Sequence, residues 1–202
     1  MISGIILAAG SSQRMGSPKS LLKIGEKTFL QYIVDVLHSA RILDIVIVLG
    51  AEAEKIQPTL SWFDGKIVVN NDWQKGQLTS IITGINSLDM TMTDPEEING
   101  AMICPVDHPL ISQSILVNLL QEFWRAHKKI VVPTYKGRRG HPVIFGKELF
   151  DELRNAPLDV GARSVVHKHP EQVHEVALEE EGILINIDTQ EDYQKYIVNY
   201  GK

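Results

Sequence analysis

Short apolar runs rich in β-branched residues alternate along this chain with longer stretches in which apolar residues recur every three or four positions. That alternation is typical of β-α-β units, in which helices cover a parallel sheet. Runs that are apolar throughout suit strands buried on both faces. The predicted strands are Ile2–Leu7, Ile45–Leu49, Lys66–Val69, Ala101–Cys104, Lys129–Pro133, Pro142–Phe145 and His174–Leu178.

Helical spacing of apolar residues separates these strands. The predicted helices are Thr28–Arg41, Ala53–Trp62, Leu78–Leu88, Ser114–Ala126 and Glu191–Tyr200. Met90–Asn99 is predicted to be a polar surface loop, because Pro95 interrupts it and apolar periodicity is lost. No shift in composition marks a boundary, so we expect a single domain over residues 1–202. Its predicted fold class is α/β, a three-layer sandwich with a mostly parallel sheet and helices on both faces.

The composition of this 202-residue chain limits the kinds of partner that it is expected to bind. Its 20 Lys and Arg against 25 Asp and Glu give a net charge of −5, which does not support binding to nucleic acid. The N-terminus lacks the pattern of a signal peptide, and no apolar run is long enough to span a bilayer, so a membrane partner is not expected. The one cysteine cannot form an internal disulfide. We therefore expect a cytoplasmic protein.

The stretch IILAAGSSQRMGSPKSLL, Ile5–Leu22, contains the end of the first strand and the opening loop Ala8–Lys19, which leaves it at the sheet edge where open parallel sheets bind ligands. Gly10 and Gly16 allow successive amides to turn toward anionic oxygens, and Arg14 and Lys19 add positive charge. The spacing matches neither G-x-G-x-x-G nor G-x-x-x-x-G-K-[ST], which excludes a dinucleotide fingerprint and a Walker A loop. Glycines and cations alone would equally suit a tight turn with solvated side chains.

The order of residues in LAAGSSQRMGSPK resembles the signature loop of a nucleotidyltransferase superfamily, L-A-A-G-x-S-x-R-M-G-x-x-K. NNDWQKGQLTSIITGI resembles its segment at the base and ribose, PVDHPLI its metal-binding turn, and GRRGHPVIF its acceptor loop. With LDVGARSVV and INIDTQEDY, these blocks span nearly the whole chain in the order of the family. The chain is most similar to the molybdenum cofactor cytidylyltransferase group, whose members transfer CMP from CTP to molybdopterin and release pyrophosphate. The resemblance implies a Rossmann-like sheet of the nucleotide-diphospho-sugar transferase type.

The resemblance also implies which residues meet the nucleotide. Arg14 and Lys19 would neutralise the phosphates, with Lys19 near the transferring α-phosphate, and they join Asp107 as the predicted catalytic residues. Ser80 is the candidate for a contact to base or ribose, although its position also suits a helix start. Related guanylyltransferases carry glycine where this chain has Ala9, which favours a pyrimidine nucleotide. The full predicted nucleotide site is Leu7, Ala8, Ala9, Gly10, Arg14, Lys19, Gly76 and Ser80.

A triphosphate in such a site needs Mg²⁺, which is held by one or two carboxylates together with phosphate oxygens and water. Asp107 is the best ligand candidate, because it ends an apolar strand at the rim of the sheet. Capping of the helix that starts near Ser112 is the alternative for this side chain. By resemblance, Asp188 reaches the same metal, while its position before the last helix equally suits an N-terminal cap.

Lys136, Arg138 and Arg139 form a local basic cluster within the block that resembles the acceptor loop. In an acidic chain such a cluster suits an anionic acceptor, here a pterin phosphate, and a solvated cationic turn is the alternative. Arg138, Arg139 and His141 are the predicted acceptor-binding residues. His141 and His108 depart from the group, which often has asparagine and usually has glutamine at these positions, so the identity of the acceptor stays open.

Two other functions remain open. The chain could transfer nucleotides to a sugar or polyol phosphate, or it could be a non-catalytic molybdenum cofactor-binding or insertion protein. The combination of Arg14, Lys19 and Asp107 favours a transferase, since a carrier needs no metal turn. A molybdoenzyme that receives the product would be a further partner.

Several residues with reactive or aromatic side chains are expected to be structural. Cys104 lies inside an apolar strand, where a buried thiol is inert. The remaining members of this set are histidines without the spacing of a metal site and tryptophans expected to pack. They are His167, His169, His174, Trp62, Trp73 and Trp124.

Overall fold

The computed structural model describes residues 1–88 and 98–198. The strands are β1 Ile2–Ala8, β2 Lys23–Ile24, β3 Lys27–Thr28, β4 Ile45–Leu49, β5 Lys66–Val69, β6 Gly100–Pro105, β7 Ile130–Tyr135, β8 Arg138–Arg139, β9 Val143–Gly146 and β10 Val173–Ala177. The α-helices are α1 Phe29–Ser39, α2 Ala53–Ile56, α3 Gln77–Leu88, α4 Gln113–Ala126, α5 Phe150–Arg154, α6 Arg163–Lys168 and α7 Gln190–Tyr193.

The main sheet has the order β10-β7-β9-β6-β1-β4-β5, with β8 paired to β7. β1 pairs in parallel with β4 and β6, β4 with β5, and β7 with β10. β9 runs antiparallel to both of its neighbours, β6 and β7. The predicted α/β fold with a mostly parallel sheet is therefore confirmed.

Apolar side chains alternate between the two faces of the sheet, so the core has two halves. On one face Ile6 of β1 and Ile47 of β4 pack with α1 and α4. On the other face Ile5 of β1 and Val48 of β4 pack with α3, α5 and α6. This arrangement follows from the period of two along a strand, which sends successive side chains to opposite faces.

Two predicted helices differ from the observed segments. The helix predicted over Ala53–Trp62 ends at Ile56 and continues only as a 3₁₀ turn, Gln57–Thr59, because Pro58 has no backbone N–H to extend it. After α7 the chain forms a π-helical turn, Gln194–Val198, and the end of the predicted last helix lies outside the described residues. The loop predicted over Met90–Asn99 lies outside the described residues up to residue 97, and within its remainder Ile98 is buried.

None of the described helices is both long and apolar enough to cross a membrane. The expectation of one domain over residues 1–202 stays a prediction.

The carboxyl ends of the parallel strands meet at one edge of the sheet, in the order β5, β4, β1, β6 and β7 with β9 between the last two. Neighbouring strands are spaced by about 4.8 Å, so β5 and β6 are separated by about 14 Å along this edge. The opening loop leaves β1 at the centre of the edge, and Asp107 follows β6 beside it.

Candidate active site

The loop after β1 closes on itself before it reaches Lys19. The backbone of Ser12 lies in the left-handed region at φ 50°, its carbonyl accepts from the N–H of Met15 at 2.9 Å, and its hydroxyl accepts from the N–H of Lys19 at 3.0 Å. Gly16 also lies in the left-handed region, at φ 70°, a conformation that side chains disfavour. These contacts fix the backbone from which the Lys19 side chain projects.

The start of the same loop is held against the end of β4. The N–H of Ala51 donates to the carbonyl of Ala9 at 3.0 Å. A Cβ atom at Gly50 would lie 2.6 Å from that carbonyl oxygen and 2.7 Å from the Ala9 Cβ. The loop can therefore approach β4 this closely because residue 50 is glycine.

Asp107 does not cap α4, so that alternative is wrong. Ser112 is the N-cap residue, and its hydroxyl accepts from the N–H of Ile115 at 3.3 Å. The backbone of Asp107 is hydrogen-bonded to the segment just before α7, because its carbonyl accepts from the N–H of Ile187 at 2.8 Å. Its carboxylate is therefore available to the cavity.

Asp188 does not cap α7 either. Thr189 is the N-cap residue and forms a capping box with Asp192, whose Oδ2 accepts from the N–H groups of both Asp188 and Thr189. The Asp188 side chain points instead to the opening loop. One of its oxygens lies 3.1 Å from the guanidinium of Arg14, and the other accepts a hydrogen bond from Lys19.

Lys19 joins both aspartates at the centre of the site. Its ammonium contacts Asp188 Oδ1 and lies 3.4 Å from Asp107 Oδ2, with only 13% of its side chain exposed. Burial raises the pKa of the Asp188 carboxyl, but hydrogen bonds and charges from Lys19 and Arg14 outweigh that effect and leave the pKa below its usual value. The structure thus brings together the four charged residues predicted for the site. They are Arg14 and Lys19 of the opening loop, Asp107 of the block PVDHPLI and Asp188 of the block INIDTQEDY.

These two carboxylates fit a divalent cation. They already converge on one cation, the ammonium of Lys19, so the electrostatics of the position favour positive charge. Within residues 1–88 and 98–198 no group of three or more His, Cys, Asp or Glu side chains could hold a metal ion. Two carboxylates completed by phosphate oxygens and water are the usual protein share of a Mg²⁺ site.

A cavity of about 490 Å³ lies over the carboxyl ends of β1 and β6 and is bordered by residues that follow β4 and β5. Its lining includes every predicted nucleotide, catalytic and metal residue: Leu7, Ala8, Ala9, Gly10, Arg14, Lys19, Gly76, Ser80, Asp107 and Asp188. Residues outside the predicted site also line this cavity, among them Ile56, Trp73 and Gln77. Trp73 follows β5 and is one of the residues expected only to pack. Its position after a strand that ends at the ligand-binding edge is the sequence signal that could have identified it as a cavity residue.

Ser80 is buried in the first turn of α3, and Asn70 holds it there. The Asn70 side-chain amide donates to the hydroxyl oxygens of Thr79 at 2.8 Å and Ser80 at 3.0 Å. Its carbonyl oxygen accepts from the N–H of Asp72 at 2.9 Å. Ser80 accepts in this bond, so its own hydroxyl proton can be donated into the cavity.

A second cavity, also of about 490 Å³, adjoins the first, and Gln77 lines both. Its floor is apolar, and Arg139, His141, Arg163 and His167 bring polar groups to it. The floor consists of Leu78 and Ile81 from α3 and of Ile103, Val132, Val143 and Phe145 from the sheet.

Two of the three predicted acceptor residues, Arg139 and His141, line the second cavity. Arg138, on the exposed two-residue strand β8, is not part of the cavity lining found within the described chain. Arg139 is engaged by Glu175 of β10, whose Oε1 lies 2.7 Å from both Nε and a terminal nitrogen of the guanidinium. Lys136 lies over the ring of Tyr135 at 4.9 Å.

His141, which lines the second cavity, contacts His108 in a tilted arrangement, with ring centroids 4.6 Å apart. Burial lowers the pKa of His108, against the opposing charges of Asp107 and Asp188. Burial, followed by the charge of His108, lowers the pKa of His141 to about 4; Asp107 opposes this and Arg163 adds to it. The two imidazoles are therefore neutral at pH 7 and do not form a cationic patch.

Of the residues expected to be structural, Cys104, His169 and His174 lie in structural positions, whereas Trp62 and Trp124 are exposed. Cys104 is fully buried in β6, and burial raises the pKa of its thiol to about 12. His169 and His174 pair with Glu152 and Glu122 at 2.9 Å and 2.7 Å. His167 is an exception, because it lines the second cavity.

Comparisons with known proteins agree with this geometry. The family model described as MobA-like NTP transferase domain matches residues 4–173. Nicotine blue oxidoreductase of Paenarthrobacter nicotinovorans is 26% identical over 97% of this chain and 96% of its own length. A probable molybdenum cofactor guanylyltransferase of Mycobacterium avium is 26% identical over 95% and 92% of the two chains.

The solved structure of Rv0371c from Mycobacterium tuberculosis H37Rv superposes with a TM-score of 0.83 at 26% identity, covering 98% of this chain and 97% of the other. Its complex with manganese gives 0.78 at 24% identity, covering 98% of each chain. The α/β architecture is thus shared over essentially the whole chain.

Proposed function

This chain belongs to the MobA-like NTP transferase family and is a nucleotidyltransferase, and from that premise we propose that it transfers CMP from CTP to molybdopterin with release of pyrophosphate. The observation that carries the proposal is the convergence of Lys19, Asp107 and Asp188 in a cavity that adjoins a second, mainly apolar one. In-line displacement at the α-phosphorus builds negative charge on its oxygens and on the departing pyrophosphate. A site for this reaction acts by positioning its substrates and stabilising that charge.

The order of elements along the sheet edge orients the nucleotide. The triphosphate lies on the loop after β1, where Arg14 and Lys19 supply positive charge. The base extends toward β5, between Trp73 and the hydroxyl of Ser80. The distance of about 14 Å from β5 to β6 suits an extended nucleoside triphosphate. Lys19 exchanges its aspartate partners for oxygens of the α-phosphate when the nucleotide binds.

Asp107 and Asp188 would hold Mg²⁺, the expected cofactor, because their carboxylates converge on one position. When bound, the ion would offset charge on the triphosphate and polarise the α-phosphoryl group. Lys19 and Arg14, which lie beside these carboxylates, would contact the same phosphates. Their charges add to the stabilisation of the leaving pyrophosphate.

The second cavity would receive molybdopterin. Its apolar floor suits a flat ring system, and its border with the nucleotide cavity at Gln77 lets a phosphate oxygen reach the α-phosphorus. His141 lines this cavity and contacts His108, and both imidazoles are neutral at pH 7. They therefore add no positive charge beside the acceptor.

The choice of CTP is supported by Ala9, because related guanylyltransferases carry glycine at that position. Guanylyl transfer is the second candidate, since curated relatives of 25–29% identity are named as probable molybdenum cofactor guanylyltransferases. One relative over the whole length is named an oxidoreductase. The opening loop lacks dinucleotide-binding spacing and brings cations and carboxylates together, so we rank nucleotidyl transfer above a redox reaction.

The decisive experiment measures pyrophosphate release with each of four NTPs, with and without molybdopterin, in Mg²⁺ and in EDTA. Release with CTP that requires both molybdopterin and Mg²⁺ supports the proposal. Release with GTP alone would make the enzyme a guanylyltransferase, and release with a sugar or polyol phosphate would change the acceptor. Binding of molybdopterin with no release from any NTP would indicate a carrier, and oxidation of NADH would support a redox function.

A further inference from the structure

The cations at the second cavity differ in how their charge is compensated. Arg139 donates to Glu175 through two nitrogens at 2.7 Å, and both side chains are 46% exposed. An exposed ion pair of this kind is weak and can open. Glu175 nevertheless stays on β10 beside Arg139, so its carboxylate repels an incoming anion whether or not the pair is closed.

Arg163 lines the same cavity from the first position of α6, and its charge reaches His141. Within residues 1–88 and 98–198 it is in no ion pair. Asp159 is the carboxylate that also lines this cavity, and it is not paired with Arg163. His141 adds no charge at neutral pH, because burial keeps its imidazole neutral. Arg163 is therefore the cation of the cavity whose guanidinium is open to a ligand.

We infer that Arg163, rather than the Arg138 and Arg139 pair predicted from the sequence, binds the anionic group of the acceptor. This inference rests on the proposed function, which makes the second cavity the acceptor site. A guanidinium binds phosphate through two parallel N–H donors, so it fixes orientation as well as charge. The ring system of the acceptor then lies over Val132 and Phe145, and its phosphate lies between Arg163 and the border with the nucleotide cavity.

The kinetic test compares Arg163→Ala with Arg139→Ala as a matched control. Acceptor KM and CTP KM are measured from pyrophosphate release. Arg163→Ala is expected to raise the KM for molybdopterin about tenfold or more and to leave the KM for CTP within about twofold. Arg139→Ala is expected to change the acceptor KM by less than about threefold, because its charge is compensated. An equal or larger effect of Arg139→Ala would overturn the inference.

Rescue separates binding from a structural role. Arg163 is exposed, so the alanine variant is expected to unfold at the wild-type temperature. Millimolar guanidinium ion should restore part of the acceptor affinity of Arg163→Ala and should not affect Arg139→Ala. Arg163→Lys should retain an intermediate affinity, since it keeps the charge and loses the two-donor geometry.

A binding measurement that needs no turnover tests this inference independently of the proposed function. Inorganic phosphate is titrated into ¹⁵N-labelled protein, and the Nε–Hε signals of the arginines are followed, with Arg163→Lys assigning the relevant one. A shift of the Arg163 signal that exceeds that of Arg139 supports the inference even if molybdopterin gives no pyrophosphate. No shift at Arg163, with or without a shift at Arg139, rejects it.

Discussion

Lys19 donates a hydrogen bond to Asp188, although the two residues lie 169 positions apart in the sequence. The contact joins the opening loop to the segment before α7, and Asp107 lies 3.4 Å from the same ammonium. In the absence of substrate, Lys19 together with Arg14 therefore compensates the charge of the two carboxylates that we expect to hold the metal.

Replacing Lys19 should impair turnover far more than folding. Removing a charge-stabilising donor typically lowers kcat by two to three orders of magnitude, and we expect about that loss of pyrophosphate release for Lys19→Ala at saturating CTP. Lys23→Ala is the matched control, because that lysine is exposed and its ammonium bonds only the backbone carbonyl of Glu26 among the described residues. Wild-type turnover in Lys19→Ala would refute the assigned role.

Asn70 should matter for stability and Ser80 for nucleotide binding. Asn70 is 3% exposed and bonds Thr79, Ser80 and Asp72, so Asn70→Ala leaves buried polar groups unsatisfied. We expect it to lower the free energy of unfolding by about 1–3 kcal/mol, measured by urea denaturation. Ser80→Ala should cost less stability and raise the KM for CTP. The reverse pattern would show that Ser80 is structural.

Nucleotide binding should be reported by Trp73. Of the three tryptophans, all of which lie in the described part of the chain, this one lines the first cavity, whereas Trp62 packs on Phe63 and Trp124 on Phe123. A base that stacks on the indole should quench its fluorescence, and Trp73→Phe should abolish the CTP-dependent change. Trp62→Phe and Trp124→Phe should retain it. If quenching survives in Trp73→Phe, the base lies elsewhere.

His141 should make stability depend on pH. Its pKa in the folded protein is about 4, mainly through burial, against about 6.5 in the unfolded chain, so the unfolded state binds more protons between these values. Stability from the neutral ring is complete above about pH 6.5 and is lost as pH falls toward 4. The free energy of unfolding of the wild type should therefore decrease over this range by up to about 3 kcal/mol more than that of His141→Asn. Parallel denaturation curves at pH 7, 6 and 5 provide the check, and equal slopes for both proteins would contradict it.

Much of the sheet could be predicted from apolar pattern alone. The bounds of β4 and β5 coincide with the predicted ones, because both are apolar runs ended by polar or glycine residues. The reversed direction of β9 could not be predicted, because a run buried on both faces has the same pattern in either orientation.

For the candidate site too, some features could be predicted from the sequence and others could not. Resemblance of short blocks placed Lys19, Asp107 and Asp188 in one site, and their proximity agrees with that prediction. The pairing of Arg139 with Glu175 depends on the register of β10 beside β7, which neither motif nor periodicity contains. A basic cluster in sequence therefore overstated the charge that Arg138 and Arg139 present to the second cavity.

Gln77 lines both cavities, so the two cavities border each other and can be filled at the same time. Under the proposed function the enzyme forms a ternary complex, and the nucleotidyl group passes directly from one substrate to the other without a covalent enzyme intermediate. Double-reciprocal plots for CTP and acceptor should then intersect rather than run parallel. A single position at the start of α3 would thereby connect the kinetics of two otherwise separate binding sites.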